Sequence, residues 1–142
     1  MIRQAKSDDI LSVYTLLCKT PDSWSIDLLT GAFANPRSVI LIYGETNVHA
    51  AAVFSVAAAE SELHNIVVSD KMRRCGIGES LLREGFKLCS ERGAEVLYLE
   101  VRDSNNAARA LYEKLGFHTV GRRKEYYKTP TEDAVLMKKD LI

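Results

Sequence analysis

The sequence lacks the features that mark several large classes of protein. It has only three cysteines, Cys18, Cys75 and Cys89, which form no CxxC pair and have no histidine at the spacing of a metal site. No apolar run approaches the roughly 20 residues that a membrane-spanning helix needs. The first nine residues, MIRQAKSDD, lack the apolar segment of a signal peptide. We therefore expect reduced thiols, no bound metal, no membrane partner and a cytoplasmic location.

An excess of charge of either sign is also missing. Nineteen Lys and Arg residues balance nineteen Asp and Glu residues, so the global charge does not indicate direct binding of nucleic acid. Residues 70–128 nevertheless carry thirteen basic and nine acidic residues. This local bias fits either an anionic ligand or solvated helix faces.

The chain shows no internal repeat, low-complexity tract or linker. Its 142 residues, of which 46% are hydrophobic, suit one domain over residues 1–142. Nothing in the sequence defines an oligomeric state.

Hydrophobic periodicity predicts strands that both alternate with helices and follow one another directly. We therefore expect an α/β (α+β) fold with a mixed sheet, in which the segment 62–101 forms a parallel strand pair. Ser7 is expected to cap the first helix. The predicted helices end near residues 19, 34, 92 and 115, and the predicted strands cover 1–6, 38–43, 48–57, 62–68, 95–101, 117–127 and 134–139.

A glycine-containing turn joins one predicted strand to the following helix. Its sequence is Arg73-Arg74-Cys75-Gly76-Ile77-Gly78. The start of a helix offers unpaired N–H groups and the positive end of a dipole, which suit a pyrophosphate. The turn lacks the GxGxxG and GK[ST] patterns of nucleotide-binding folds. By itself it fits an anion site or a purely structural turn equally.

Glu100 is a candidate general base. It lies near the end of an apolar strand, on the same face as Val96 and Tyr98. A carboxylate in such a place needs either a partner or a function, and burial would raise its pKa toward neutrality. The structural alternative is an ion pair with Arg102 or with another basic side chain.

Two residues of the predicted helix 105–115 also have a structural interpretation beside a functional one. Tyr112 follows Ala108 by four residues and so faces inward. Its phenol either belongs to the core or donates a proton to a leaving group. Asn105 is a good N-cap for this helix, which is its structural interpretation.

Several segments look like linked motifs of one superfamily. Residues 65–78, NIVVSDKMRRCGIG, and residues 99–117, LEVRDSNNAARALYEKLGF, resemble consecutive motifs of the GNAT superfamily of acyl-CoA N-acyltransferases. With Trp24-Ser25, RRKEYY at 122–127 and EDAVLMKK at 132–139, the chain is similar to the bacterial ribosomal-protein alanine N-acetyltransferases, the RimI group.

The resemblance implies a GNAT fold and a place for acetyl-CoA. It implies a twisted, mixed sheet of about seven strands and about four helices, splayed open between the strands at 62–68 and 95–101. Acetyl-CoA, the co-substrate, would lie in that gap. Its pantetheine would contact the backbone of Ile66, Val67 and Val68, with Asn105 beside it. Its pyrophosphate would lie on the N–H groups of Arg74, Cys75, Gly76, Ile77, Gly78 and Glu79.

The resemblance also implies a reaction. Glu100 matches the group's general base and Tyr112 its general acid. The acceptor would be the N-terminal α-amine of a protein, the N-terminal alanine of a small-subunit ribosomal protein, which attacks directly in a ternary complex. A GNAT enzyme for a small amine or a lysine side chain and a non-catalytic acyl-CoA-binding module are the alternatives. His64, Tyr98 and residues 22–35 depart from the family's pattern, which leaves the acceptor preference open.

Overall fold

A computed structural model describes residues 1–20 and 24–142 of the protein. A sheet of seven strands runs through it in the order β1-β2-β3-β4-β5-β7-β6. Among the described strands β4 and β5 are parallel, and the other neighbouring pairs are antiparallel. The strands are β1 (Ile2–Gln4), β2 (Ser38–Tyr43), β3 (Ala50–Ala57), β4 (Glu60–Val68), β5 (Val96–Arg102), β6 (His118–Lys128) and β7 (Thr131–Asp140). The predicted mixed sheet of seven strands is confirmed.

The described residues also form four α-helices, as predicted. They are α1 (Ile10–Leu17), α2 (Ile26–Ala34), α3 (Ile77–Glu91) and α4 (Asn106–Lys114). The Ser25 hydroxyl caps α2 by accepting the N–H of Leu28. Glycines with positive φ, Gly93 and Gly116, follow the ends of α3 and α4. Within the described ranges, no helix is both long and apolar enough to cross a membrane.

The start of α1 differs from the prediction. Ser7 does not cap a helix; residues Ser7–Asp9 form a short 3₁₀ turn that precedes α1. The Asp9 carboxylate accepts the Lys6 N–H at 2.8 Å and binds both terminal nitrogens of Arg3 at 2.9 Å. The side chain that accepts a backbone N–H at this turn is therefore that of Asp9 and not that of Ser7, because Arg3 on β1 holds the Asp9 carboxylate in place.

The sheet separates two apolar cores. Helices α1 and α2 contact strands β2, β3 and β4 on one face. This smaller core contains Val13, Leu16, Leu17, Leu29, Ile42, Ala51 and Val67. Helix α3 packs on the opposite face. This larger core includes Leu41, Phe54, Leu63, Leu81, Leu82, Leu97, Leu99 and Val101.

The two parallel strands part halfway along their length. The β4–β5 ladder runs from the pair Glu60 and Val96 to the pair Leu63 and Leu99. Beyond that point β4 remains paired with β3, and β5 remains paired with β7. A gap therefore opens between the inner edges of β4 and β5, as the resemblance implied.

A β-bulge in β4 begins at the same point. Val53 pairs with Asn65 and Phe54 pairs with Leu63, so His64 is an extra residue in β4. The bulge shifts the alternation of side chains by one position. Ile66 consequently packs against the α3 core with Leu63, whereas Val67 belongs to the core under α1 and α2.

Helix α3 approaches the sheet most closely at Gly85. A Cβ atom built there would lie 2.1 Å from Cζ of Phe54, whose side chain is fully buried. The absence of a side chain is what allows the helix to cross the aromatic ring. The position of α3 also fixes the turn that precedes it.

We predict that Gly85→Ala destabilises the protein by about 1–3 kcal/mol, since the added methyl group would overpack the core. The matched control is Gly31→Ala on exposed α2, where a Cβ meets no atom within 4 Å. That change should stabilise the protein by about 0.5–1 kcal/mol through helix propensity. Urea unfolding measures both. Equal effects of the two substitutions would contradict the proposed contact with Phe54.

Candidate active site

Two cavities lie along the gap between β4 and β5. The larger cavity, of about 570 Å³, is lined by β4, β5 and β6 and includes Glu100. The smaller cavity, of about 460 Å³, is lined by the end of β4, the turn at 72–79 and α4. Thr20, Ile66 and Tyr112 line both cavities, so the two spaces meet at these residues.

The smaller cavity brings together most of the residues predicted to bind a cofactor. Those that line it are Ile66, Val67, Val68, Arg74, Gly76, Ile77, Gly78 and Glu79. Cys75 is exposed and is absent from its lining. Asn105 lines the larger cavity instead, and its side-chain oxygen caps α4 by accepting the N–H of Ala108 at 3.2 Å. The structure therefore shows Asn105 in its predicted role as the N-cap of α4.

The turn before α3 contains two residues in the left-handed backbone conformation. Arg74 and Gly76 have positive φ angles of 65° and 76°. The left-handed conformation costs a non-glycine residue about 1–2 kcal/mol. Arg73 braces the turn through a hydrogen bond from Nε to the carbonyl of Val68 at 3.3 Å and an ion pair with Asp70 at 3.1 Å.

The charge at the start of α3 favours an anion. Glu79, in the first turn, accepts hydrogen bonds from Lys114 Nζ at 2.8 Å and Arg83 Nε at 3.0 Å. These two cations, Lys114 more strongly, lower the pKa of Glu79. Their charges offset the carboxylate that would otherwise repel an anion at the helix N-terminus. Arg74 adds a further positive charge to the lining.

Glu100 has one paired and one unpaired oxygen. Its Oε1 accepts a hydrogen bond from Nε of Arg123 at 3.2 Å. Its Oε2 is buried and has no hydrogen-bond partner among the described residues. A buried oxygen without a donor is costly, by about 1–3 kcal/mol or more for a charged group. Oε2 therefore lacks a donor among residues 1–20 and 24–142, and a group that donated to it would remove this cost.

The expected alternative partner, Arg102, is engaged elsewhere. It donates to Glu132 at 3.3 Å and to the carbonyls of the turn at 129–130, and it lies 4.3 Å from the centre of the Tyr127 ring. Glu132 also accepts the N–H of Ser104 at 2.6 Å, and hydrogen bonding to Ser104, followed by the contact with Arg102, lowers the pKa of Glu132. An ion pair of Glu100 with Arg102 is thus not formed. Arg102 instead ties β5 to the β6–β7 hairpin and fixes one wall of the larger cavity.

Tyr112 is a buried phenol at the junction of the cavities. Its side chain is 6% exposed and packs edge-on against Phe117, with ring centroids 5.6 Å apart. Burial raises the pKa of its hydroxyl to about 12. No hydrogen bond among the described residues involves this hydroxyl. The phenol therefore belongs to the core and also keeps a proton that it can donate.

Some residues of the larger cavity did not emerge from the sequence. Arg123 was not identified as the partner of Glu100. His64 stood out only as a departure from a family pattern, although it contacts both Ser55 and Glu62. A signal for the bulge existed, because the polar pair His64-Asn65 interrupts the alternation of β4. Among the described residues, no group of three His, Cys, Asp or Glu side chains could hold a metal ion.

Comparison with known proteins gives consistent matches. The model of the Acetyltransferase (GNAT) family matches residues 10–117. The ribosomal protein bS18-alanine N-acetyltransferase of Salmonella typhimurium is 36% identical over 132 residues, covering 82% of this chain and 88% of that protein. The protein of the same name from Escherichia coli K12 is 43% identical over 88 residues, covering 61% of this chain and 60% of that protein.

A solved structure extends the likeness over the whole fold. The crystal structure of the ribosomal-protein-S18-alanine N-acetyltransferase from Escherichia coli superposes with a TM-score of 0.91. The identity is 30%, and the superposition covers 99% of this chain and 93% of that chain.

We predict that the Tyr112→Phe variant loses less stability than the wild type when the pH is raised into the alkaline range. Folding raises the pKa of the Tyr112 phenol from 10.0 to about 12. The contribution of this phenol to the free energy of unfolding is therefore fully present below pH 10 and is lost as the pH rises through about 12. Relative to the variant, the wild type should lose about 2–3 kcal/mol of unfolding free energy over that range, at 1.36 kcal/mol per pKa unit.

Urea unfolding at a series of pH values measures this difference. The control is Tyr126→Phe, which changes a half-exposed phenol of the same cavity. It should leave the alkaline slope unchanged. Parallel pH profiles for the wild type and Tyr112→Phe would show that burial does not govern the titration of Tyr112.

Proposed function

Because the chain belongs to the acetyltransferase (GNAT) family, we propose that it transfers an acetyl group from acetyl-CoA to the N-terminal α-amine of a protein. The acceptor we favour is the N-terminal alanine of the ribosomal protein bS18. The names of the relatives from Salmonella typhimurium and Escherichia coli support this choice. The observation that carries the catalytic part is the unpaired, buried Oε2 of Glu100 beside the gap.

In this proposal the smaller cavity holds acetyl-CoA. The edge of β4 from Ile66 to Val68 has no partner in β5 and can bind the amides of the pantetheine. The N–H groups from Arg74 to Glu79 bind the pyrophosphate, aided by the helix dipole and by the charge of Arg74. Asn105 lies on the other side of the junction, where it contacts the pantetheine from the larger cavity.

The larger cavity holds the acceptor, and Glu100 acts as its general base. The amine arrives as an ammonium and must lose a proton before it can attack the thioester carbon. Oε2 of Glu100 takes that proton, directly or through a water molecule. Arg123 stays bound to Oε1 and thereby holds the carboxylate in place. Backbone N–H groups near Val68 stabilise the oxyanion that develops on the carbonyl.

Tyr112 acts as the general acid. It lines both cavities, and its raised pKa keeps the phenol protonated at neutral pH. It gives its proton to the sulfur of the departing CoA thiolate. Because a thiol has a pKa of about 8.5, this donation assists the departure without being indispensable.

The arrangement favours direct transfer within a ternary complex. Two cavities that meet at Ile66 and Tyr112 allow donor and acceptor to be present together. The cysteines do not suit a covalent intermediate. Cys18 and Cys75 are exposed and line neither cavity, while burial raises the pKa of the Cys89 thiol.

Acetylation of a lysine side chain is the second candidate activity. A lysine amine has an ordinary pKa of about 10.4, against about 7.7–8.0 for an α-amine. Its deprotonation therefore costs about 3 kcal/mol more at neutral pH, at 1.36 kcal/mol per pKa unit. A non-catalytic acyl-CoA-binding module would have no need for the orphaned Glu100 oxygen or for the buried Tyr112 phenol.

We predict that Gly78→Ala weakens acetyl-CoA binding by about tenfold, or about 1.4 kcal/mol. A Cβ at this position would lie 3.8 Å from Val68 and 3.9 Å from Leu111, both in the lining of the smaller cavity. The protein tolerates the methyl group, but it occupies ligand space. Gly76 is less informative because its φ of 76° strains any replacement.

Calorimetric titration with acetyl-CoA measures this effect, with Gly31→Ala as the control. Thermal unfolding should show that Gly78→Ala is at least as stable as the wild type. Unchanged affinity would place the co-substrate elsewhere.

We predict that peptides with a free N-terminal alanine are acetylated much faster than the same peptides with a blocked N-terminus and an added lysine. Glu100→Gln should reduce kcat/KM for the free peptide by about 10²–10⁴, the usual effect of losing a general base. The loss should shrink as the pH rises, because free amine accumulates. Mass spectrometry of the peptides follows the reaction. Equal rates for the blocked lysine peptide would refute the α-amine acceptor.

A further inference from the structure

A second group of proton-exchanging side chains lies on the β4 side of the larger cavity. His64 Nε2 is 2.7 Å from the Ser55 hydroxyl, and His64 Nδ1 is 3.1 Å from a carboxylate oxygen of Glu62. His64 and Glu62 line the larger cavity, while Ser55 supports the ring from β3. None of the three has a role in the reaction described so far.

His64 and Glu100 line the same cavity from two different strands. The last pair of the parallel ladder is Leu63 with Leu99. His64 on β4 and Glu100 on β5 are the next residues along the chain, at the point where the strands part. An amine bound beside Glu100 therefore shares its cavity with an imidazole.

The transfer requires that two protons be accepted from the amine nitrogen. An ammonium that becomes a secondary amide loses two protons from its nitrogen, one before the C–N bond forms and one after. The sulfur gains one proton through Tyr112, and one proton passes to solvent. Glu100 can take the first proton, but it is then protonated when the second must leave.

We propose that His64, positioned by Glu62 and Ser55, is the second proton acceptor of this site. A carboxylate only accepts hydrogen bonds, so Glu62 favours a hydrogen on Nδ1 of His64. In the neutral ring, Nε2 then accepts the hydrogen of the Ser55 hydroxyl. The proton then enters the ring through Ser55: the Ser55 oxygen takes a proton that water carries from the reacting nitrogen, its own hydrogen passes to Nε2, and the oxygen accepts the new N–H.

The surroundings suit this role. Glu62 stabilises the imidazolium that forms, as the aspartate of a Ser-His-Asp catalytic triad orients and supports its histidine. The Trp24 ring, 6.1 Å from the imidazole, packs on the same side. Besides Glu100 and Tyr112, the titratable side chains among the described residues of this cavity are Tyr98, Arg102, Arg123, Tyr126 and Tyr127. Arg123 is paired with Glu100 and Arg102 with Glu132.

The inference rests on the proposed acetyl transfer and is tested with the whole chain, acetyl-CoA and a synthetic peptide with a free N-terminal alanine. His64→Phe keeps an aromatic ring beside Trp24 but cannot accept a proton. Glu62→Gln keeps a hydrogen-bond acceptor but removes the charge that supports the imidazolium. Glu60→Gln, on the same strand but outside the cavity lining, is the control.

At pH 7 we expect His64→Phe and Glu62→Gln each to lower kcat about tenfold. This loss is smaller than that of a principal base, because Glu100 and water remain. The KM values for acetyl-CoA and peptide should change little, the loss should fade toward pH 9, and the double variant should be no slower than His64→Phe alone. Glu60→Gln should behave as the wild type.

An unchanged kcat–pH profile, or a change confined to the KM of the peptide, would overturn the role of His64 in proton transfer. Circular dichroism and thermal unfolding identify a folding defect in His64→Phe, in which case Glu62→Gln and Ser55→Ala decide the question by the same criteria. An inactive wild type would refute the proposed function and this inference together. An active wild type with unaffected variants would refute only the inference.

Discussion

The parting of β4 and β5 after Leu63 and Leu99 is the constraint on which the rest of the structure depends. Each strand keeps its outer partner, β3 or β7, so the sheet remains held together on both sides. The inner edges, however, lose the hydrogen bonds that a continuous ladder would provide. Backbone groups in such a place require another partner. A ligand with its own amides satisfies them, which explains why both cavities lie along this gap.

The bulge at His64 determines what faces the gap. In a regular strand Leu63, Asn65 and Val67 would share one face, and an amide would enter the α3 core. The extra residue brings Ile66 beside that core and leaves Asn65 lining the larger cavity. One inserted position therefore produces an apolar wall for the smaller cavity and a polar wall for the larger one. His64 itself lines the same cavity as Glu100.

The elements with strong periodicity were predictable from the sequence, and those set by distant contacts were not. Leu81, Leu82 and Cys89 repeat at helical spacing and indicated α3 within one residue of its observed ends. Capping at Ser7 failed because Arg3, on another element, holds Asp9 at the N–H that needs an acceptor. Such competition is invisible to a local pattern.

The candidate site shows the same division. Helical spacing places Tyr112 inward, and Glu100 stood out as a carboxylate in an apolar strand, on the half-buried face with Val96 and Tyr98. The partner of Glu100 was not, since Arg123 lies on β6, whose register against β7 is interrupted between Thr119 and Gly121 and again between Arg123 and Tyr127. A register with two irregularities cannot be read from alternation alone. The choice between Arg102 and Arg123 therefore required the fold.

The basic residues within 70–128 lie in two different environments in the folded protein. Around the larger cavity the arginines are matched by acids, Arg102 by Glu132 and Arg123 by Glu100. At the turn before α3, Arg74 has no ion pair among the described residues and stands beside the start of a helix. The Arg123–Glu100 pair is partly exposed, and such pairs contribute little to stability, so Arg123 serves mainly to orient the carboxylate. The unmatched charge lies where phosphates would bind, and the neutralised region lies where an amine would lose its proton. In the proposed reaction the smaller cavity thus provides the anion site and the larger one the proton-transfer site, and Thr20, Ile66 and Tyr112 line both.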